Sequence, residues 1–314
     1  MNTDPKKFNL SECEVHYTDD IPEPEGLLYF DLLLVLSRGN ISTVKGKAKA
    51  RKSFFIAYLV QQVLLQNPDA TALLIDTEQS RTFVYKLLKR VYRLMGWTAE
   101  NKRLKVLSLR EYDVLERRDI FVQSVQEHQP DFCVLDGGVD IISDFNNADE
   151  SKQVVGLLMK LSTEYNCHIL NVLHEGKTNG ELRGHFGAEM LNKSETVFEV
   201  VKDGDVSVVK PYATRNQPFD EFSFSINDSG LPVYNGTVTR MTRAEITEYN
   251  MKLSFTKLLT PNKIIEYMAL CNEYSEIAGC SEATAKRHIS KMQKDGYLRK
   301  TDAGGYCLSV VQLE

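Results

Sequence analysis

The chain lacks an overall basic charge, a paired-cysteine framework and any apolar run long enough to cross a bilayer. Its 314 residues carry 38 Lys and Arg against 43 Asp and Glu, a formal net charge of −5. Contact with nucleic acid must therefore come from local patches rather than from a basic coat. The six cysteines, Cys13, Cys133, Cys167, Cys271, Cys280 and Cys307, include no CxxC pair, and some lie in apolar stretches such as Phe132-Cys133-Val134. That spacing indicates neither a zinc site nor a disulfide framework. The apolar run Leu27 to Leu36 is broken by Asp31, and the opening Met1-Asn2-Thr3-Asp4 has no basic segment feeding an apolar one. A soluble, cytoplasmic protein without membrane association is expected. Internal repeats and low-complexity tracts are also missing.

What remains is an ordinary globular composition, 42% hydrophobic and 26% charged, with length for a sizeable core and one smaller domain. Ile41 to Lys45, Ala72 to Asp76, Leu104 to Leu107, Phe132 to Asp136 and His168 to Leu173 read as buried strands, with room for crossover helices between them. Ser53 to Gln66 reads as a helix stopped by Asn67-Pro68, and Gln79 to Met95 as one closed by Gly96. This alternation predicts an α/β fold with a mostly parallel, doubly wound sheet. Glu195 to Val201, Val206 to Lys210 and Glu221 to Ile226 follow without helices between them and predict an antiparallel extension. The expected boundaries are a core domain over residues 1–227, a linker over 228–258 that includes a polar helical segment near Arg243 to Leu253, and a second domain over 259–314.

The strand Ile41 to Lys45 runs into Gly46-Lys47-Ala48-Lys49-Ala50-Arg51-Lys52-Ser53 and then into an apolar helix, the order that a phosphate-binding loop requires. Backbone amides of residues 46–53 can cradle phosphates, Lys52 can reach the β and γ oxygens, and the Ser53 hydroxyl can join a Mg²⁺ shell. Arg51 departs from the pattern, because a glycine normally stands there to let the loop turn close to phosphate. A lysine-rich surface turn is the alternative reading of the loop alone.

Other residues take positions that the loop makes meaningful. Glu78 follows the strand end at Asp76, where an acid can activate a water near the γ-phosphate; its plainer reading is a favourable charge at a helix N-terminus. Asp136 ends an apolar strand and can hold Mg²⁺, with Gly137-Gly138 leaving room beside it; Asp140 is a weaker substitute. His174 ends the fifth strand at the same edge, where it can sense the γ-phosphate or couple it to DNA.

Near the C-terminus, Pro261 to Cys271 and Tyr274 to Ala278 read as helices, Gly279-Cys280-Ser281 as a turn, and Ser281 as the cap of a helix through Lys294. Leu298 to Thr301 and Tyr306 to Val310 read as a hairpin. On the last helix Ala285, Ile289 and Met292 form an apolar stripe, leaving Lys286, Arg287, Lys291 and Lys294 on a basic face suited to DNA phosphates. A module used only for protein contacts is the alternative.

The motifs at 46–53, Leu-Ile-Asp-Thr-Glu at 74–78, Val-Leu-Asp-Gly at 134–137, Val-Leu-His at 172–174 and Arg183-Gly184-His185-Phe186-Gly187 together resemble the RecA-like ATPases of the RepA type. Those are hexameric replicative helicases of plasmids, with related AAA-type ATPases on bacterial mobile elements. The resemblance spans about residues 30 to 226, and the tail resembles a bacterial winged-helix domain. It implies a RecA-like P-loop NTPase core with ATP and Mg²⁺ as cofactors. It implies Lys52 and Ser53 for nucleotide and metal, Glu78 as catalytic base, Asp136 as metal ligand and His174 as sensor. It also implies DNA as partner and a homo-oligomer, possibly a hexameric ring. Thr214-Arg215-Asn216-Gln217-Pro218 looks like the segment from which such helicases insert an arginine into the neighbouring subunit's site, which makes Arg215 a catalytic candidate. Ala213 stands where these helicases often have lysine, and helicase activity is left open. The competing functional reading is a DNA-binding regulator with a degenerate, non-hydrolysing ATPase-like domain.

Overall fold

Short runs rich in Val, Ile and Leu, buried on both faces, alternate with amphipathic helices through the first two thirds of the chain. The computed structural model describes residues 9–176, 180–238, 243–259, 263–301 and 304–309. It divides into two units, Met1–Val238 and Thr239–Glu314.

In the first unit a hairpin of β1 (Gly26–Phe30) and β2 (Leu33–Ser37) precedes β3 (Ile41–Gly46). Then follow α1 (Lys52–Gln66), β4 (Ala72–Asp76), α2 (Arg81–Met95), β5 (Leu104–Ser108), α3 (Val114–His128) and β6 (Phe132–Asp136). They continue with α4 (Ala148–Glu164), β7 (His168–His174), α5 (Gly184–Lys193), β8 (Thr196–Asp203), β9 (Val206–Thr214), β10 (Phe222–Ile226) and β11 (Pro232–Thr237). Nine strands form one sheet in the order β11-β10-β9-β8-β3-β7-β6-β4-β5. From β8 to β5 the pairs are parallel, and β9 to β11 add an antiparallel extension. Strands β3, β4 and β6 are buried along their whole length, as central strands covered on both faces must be. Val44, Phe55, Leu74, Val134 and Phe198 pack on one face, and Ile75, Phe121, Leu135, Leu158 and Ile169 on the other.

The three segments expected as an antiparallel extension pair antiparallel in turn, β8 with β9 and β9 with β10, and β8 also joins β3 in parallel after α5 crosses over. Two expectations need correction. The linker at 228–258 holds more structure than expected: the helical segment is present as α6 (Arg243–Leu258), but it carries Met251, Phe255 and Leu258 into a core, and β11 closes the sheet edge before it. The paired helices expected at 261–271 and 274–278 are one helix, α7 (Tyr267–Ala278), preceded by a bridge from Ile265 to Tyr306.

In the second unit, α7 ends at Gly279 in the left-handed region (φ 62°), a conformation glycine takes without steric cost. Ser281 then caps α8 (Glu282–Lys294), its side chain accepting from the Thr284 N–H. The strands β12 (Leu298–Lys300) and β13 (Tyr306–Leu308) pair antiparallel. The stripe Ala285, Ile289 and Met292 is buried against Phe255, Leu270 and Tyr274. Pro261, Asp302, Ala303 and Val310 lie outside the described residues.

Candidate nucleotide site

The register of the parallel strands brings their C-terminal ends to one edge: Gly46 pairs with His174, Val172 with Asp136, and Asp136 with Asp76. Such an edge of an α/β sheet is where ligands bind. Gly46 cannot be replaced there without movement, because a Cβ would stand 2.5 Å from the Val200 carbonyl oxygen. Beyond it the loop is tightened by the Ala50 N–H on the Lys47 carbonyl (3.2 Å). Lys49 (φ 64°) and Arg51 (φ 72°) are left-handed, at a cost of roughly 1 kcal/mol each. Arg51 thus adopts the backbone that glycine would supply. Its guanidinium donates to the Asp205 carbonyl at 2.6 Å, tying the loop to the turn between β8 and β9. The departure from the motif leaves the turn intact and adds an anchor.

Lys52 is the first residue of α1 and is buried. Its ammonium donates to the carbonyls of Gly46 (2.8 Å) and Lys47 (3.2 Å) and lies 3.0 Å from His174 Nδ1. An ammonium only donates, so Nδ1 accepts and the ring proton belongs on Nε2, 3.3 Å from Glu78 Oε2. Burial lowers the Lys52 pKa, while Asp136, Glu78 and Glu175 oppose that shift. The hydrogen bond from His174 holds the Glu78 carboxyl below its usual range, against desolvation. A base kept ionised beside a loop lysine is suited to orienting water.

The neighbouring carboxylates are strained in charge rather than in shape. Burial, then Asp76 and Glu78, push the Asp136 pKa up to about 8, with Lys52 opposing. Asp76 is also raised, mainly by burial, although it accepts from the backbone N–H groups of Glu78 and Gln79. Burial raises Asp140, which accepts from Thr77 Oγ1 at 2.8 Å. Gly137 is required beside them: its φ is +103°, and a Cβ would lie 2.0 Å from Thr77 Oγ1. An excess of buried acid at the end of a phosphate-type loop calls for a cation. Among the described residues no group of three or more His, Cys, Asp and Glu can hold a metal by itself. This donor set fits Mg²⁺ held by Ser53 and Asp136 and completed by phosphate oxygens and water, rather than an all-protein cage.

The fold gathers Lys49, Ala50, Arg51, Lys52, Ser53, Glu78, Asp136 and His174 around a cleft of about 370 Å³. Lys47 and Ala48 face a hollow of about 300 Å³ across the loop, walled by Val200, Lys202 and Glu175. Arg215 is not brought there. It follows β9 at the opposite edge of the sheet, exposed, with its guanidinium donating to the Lys193 carbonyl at 2.9 Å. Within one chain Arg215 does not reach the cleft.

Lys45 and Glu175 escaped the sequence reading. The Lys45 ammonium is buried between Glu199 (3.1 Å) and Glu175 (3.5 Å), donates to the Gly180 carbonyl and sits over the Tyr212 ring. A lysine in a strand buried on both faces was the available signal, since such a charge demands partners. In the second unit Lys286 pairs with Glu282 and Lys291 with Glu248, whereas Arg287 and Lys294 are exposed and form no ion pair among the described residues. Arg299 and Lys300 on β12 are exposed as well.

Among the described residues no helix is long and apolar enough to cross a membrane. None of the curated proteins matches the chain. A family model described as an AAA domain matches residues 9–180, more than half of the chain and the whole stretch that supplies the loop, Glu78, Asp136 and His174. The chain belongs to this AAA domain family of P-loop ATPases in the RecA-like group.

Proposed function

We propose that the chain is a Mg²⁺-dependent ATP hydrolase whose turnover responds to DNA, acting in replication or mobilisation of a plasmid or other mobile element. The observation that carries the reading is the convergence of Lys52, His174, Glu78 and Asp136 at the edge above the loop. Amides of the loop and of the first turn of α1 cradle phosphate, and Lys52 turns from the Gly46 and Lys47 carbonyls to the β and γ oxygens. Ser53 and Asp136 hold Mg²⁺, which supplies charge neutralisation and in-line geometry when bound. Glu78 orients the attacking water and accepts its proton. His174, touching both Lys52 and Glu78, reports the state of the γ-phosphate to the segment after β7.

Arg51 gave ground for a degenerate domain, yet its left-handed backbone keeps the loop closed, which favours hydrolysis. The order α6, bridge, α7, α8 and hairpin is in keeping with a winged-helix plan, in which α8 would be the recognition helix, with Arg287 and Lys294 forming no ion pair among the described residues and Lys286 and Lys291 beside them. Arg215, exposed at the far edge, is available only to another copy's site, in keeping with a ring in which catalysis is shared between subunits.

ATP hydrolysis with and without DNA tests the reading. DNA is expected to stimulate wild type, Lys52→Ala to be inactive, and Arg287→Glu with Lys294→Glu to lose the stimulation. Equal background rates throughout would remove the enzyme.

A further inference from the structure

The β1–β2 hairpin, helix α1 and strands β10 and β11 enclose a recess of about 360 Å³ that shares no residue with the nucleotide cleft. Its floor is aromatic. Phe30 meets Phe219 and Phe222 edge-on, with ring centres 5.1 and 5.3 Å apart, and Phe222 packs in turn with Tyr234 at 5.5 Å and Tyr58 at 6.0 Å. Tyr58, Gln62 and Gln66 follow one another at four-residue spacing on α1, so a single stripe of the helix forms one wall. Gln66 also fastens the hairpin to that stripe: the Tyr29 N–H donates to its Oε1 at 2.8 Å, and its Nε2 donates to the Tyr29 carbonyl at 2.9 Å. The recess is built by the fold and needs no ligand to form it.

Its charge is one-sided. Asp31 and Asp220 line it, both exposed, and no Lys, Arg or His does. Among the described residues neither carboxylate has an ion-pair partner. Burial pushes the Tyr58 phenol up to about 12, with Tyr234 adding to the shift, so it stays a neutral hydroxyl. Tyr29 (41% exposed) and Tyr234 (49%) leave ring surface open at the mouth. Negative ring faces and unneutralised carboxylates repel an anion, and an apolar ligand would leave the acids unanswered. A guanidinium uses both, because its plane stacks on an aromatic ring while its N–H groups fork onto a carboxylate. Beside the mouth Leu32, at the hairpin tip, is 94% exposed, an apolar surface that a ligand confined to the recess would leave bare. The cation therefore belongs on a longer chain.

We propose that this recess receives an arginine side chain from a segment of a partner protein, with apolar residues beside that arginine covering Leu32 and the open tyrosine rings. The site is a docking point on the body of the first unit. It is independent of whether the chain hydrolyses ATP, since none of its residues touches the cleft.

Calorimetric titration of the full chain with the probe peptide acetyl-Leu-Gly-Arg-Gly-Leu-amide, beside the same peptide with citrulline for arginine, tests it. Citrulline keeps the shape and removes the charge. Wild type is expected to bind the arginine peptide saturably and the citrulline peptide at least about tenfold more weakly. Asp31→Asn with Asp220→Asn should lose a similar factor at an unchanged melting temperature, because both side chains are exposed and asparagine tolerates the left-handed backbone of Asp31 (φ 51°). Tyr234→Leu, which keeps apolar area but removes the ring face, should weaken the arginine peptide by about threefold and leave the citrulline peptide unaffected. The proposal is overturned if neither peptide binds, if both bind alike, or if the double variant binds like wild type. It is also overturned if ethylguanidinium alone binds as tightly as the arginine peptide, which would make the recess a small-molecule site, or if the double variant melts lower, which would make the two acids structural.

Discussion

The two edges of the central sheet differ in how they treat charge. At the N-terminal edge the charged groups are neutralised or hydrogen-bonded by the chain: His168 is neutral, its Nδ1 2.7 Å from the Ser37 carbonyl and its Nε2 buried without a partner, and burial lowers its pKa to about 4. Glu195 there accepts from the Ser37 N–H and hydroxyl and from Asn216. At the C-terminal edge Asp76, Asp136 and Asp140 are all raised, and Lys52 is spent on carbonyls of its own loop. The first edge is finished by the chain itself; in the function proposed above, the second is completed by a polyanion and a divalent cation. Polar groups left costly in this way mark function more reliably than polarity itself.

The contrast breaks first at the open edge. Lys52→Ala should abolish nucleotide binding, while Glu78→Gln should keep binding and lower hydrolysis by roughly 10²- to 10⁴-fold; parallel binding and turnover assays separate the two. Smaller is the effect of Asp136. Protonated below about pH 8 in the free protein, it should make Mg²⁺-nucleotide affinity rise as pH rises towards 8, and Asp136→Asn should bind weakly with a flat profile. The same raised pKa means that folding stability without ligand falls as pH climbs from about 4 through 8, because the folded state binds the proton more tightly. Urea unfolding should therefore show Asp136→Asn gaining on wild type as pH increases.

At the closed edge the sign reverses. A histidine held neutral contributes stability that is present above its unfolded pKa near 6.5 and is lost as pH falls towards 4, by up to about 3 kcal/mol. His168→Gln should flatten the fall between pH 7 and 5 in urea unfolding. The smallest change is expected from Arg51→Gly. Relief of the left-handed backbone and loss of the Asp205 contact offset each other to within about 1 kcal/mol, with hydrolysis retained. A large loss of activity would show that the anchor to the β8–β9 turn shapes the loop.

Much of this edge was legible because buried strands announce themselves as apolar runs, and the residue after each run lands at the strand end. Ala72 to Asp76 and Phe132 to Asp136 have the bounds read from sequence, and with them come the positions of Glu78 and Asp136. Helix α5 was hidden by its glycines. Gly184 is left-handed and its Cβ would meet the Phe145 carbonyl at 2.5 Å, while a Cβ on Gly187 would meet Leu182 at 2.6 Å. They serve packing at a helix start yet look like a loop. Strand β11 was lost because Asp228-Ser229-Gly230 reads as a linker, although it is the turn of a hairpin closed by Leu231 N–H on the Asn227 side chain. Where Arg215 falls was not legible: motif order along a chain does not say at which end of a strand a residue lies, and β9 runs antiparallel to β8, which carries Arg215 to the other end of the sheet from the cleft of its own chain.

The central claim is that Lys52, Glu78 and Asp136 form a working ATP site. Mg²⁺-ATP binding measured by calorimetry together with phosphate release, on wild type, Lys52→Ala and Glu78→Gln, tests it most directly. Binding and release by wild type, neither by Lys52→Ala, and binding without release by Glu78→Gln is the predicted result. Binding that survives in Lys52→Ala, or release that survives in Glu78→Gln, would contradict it.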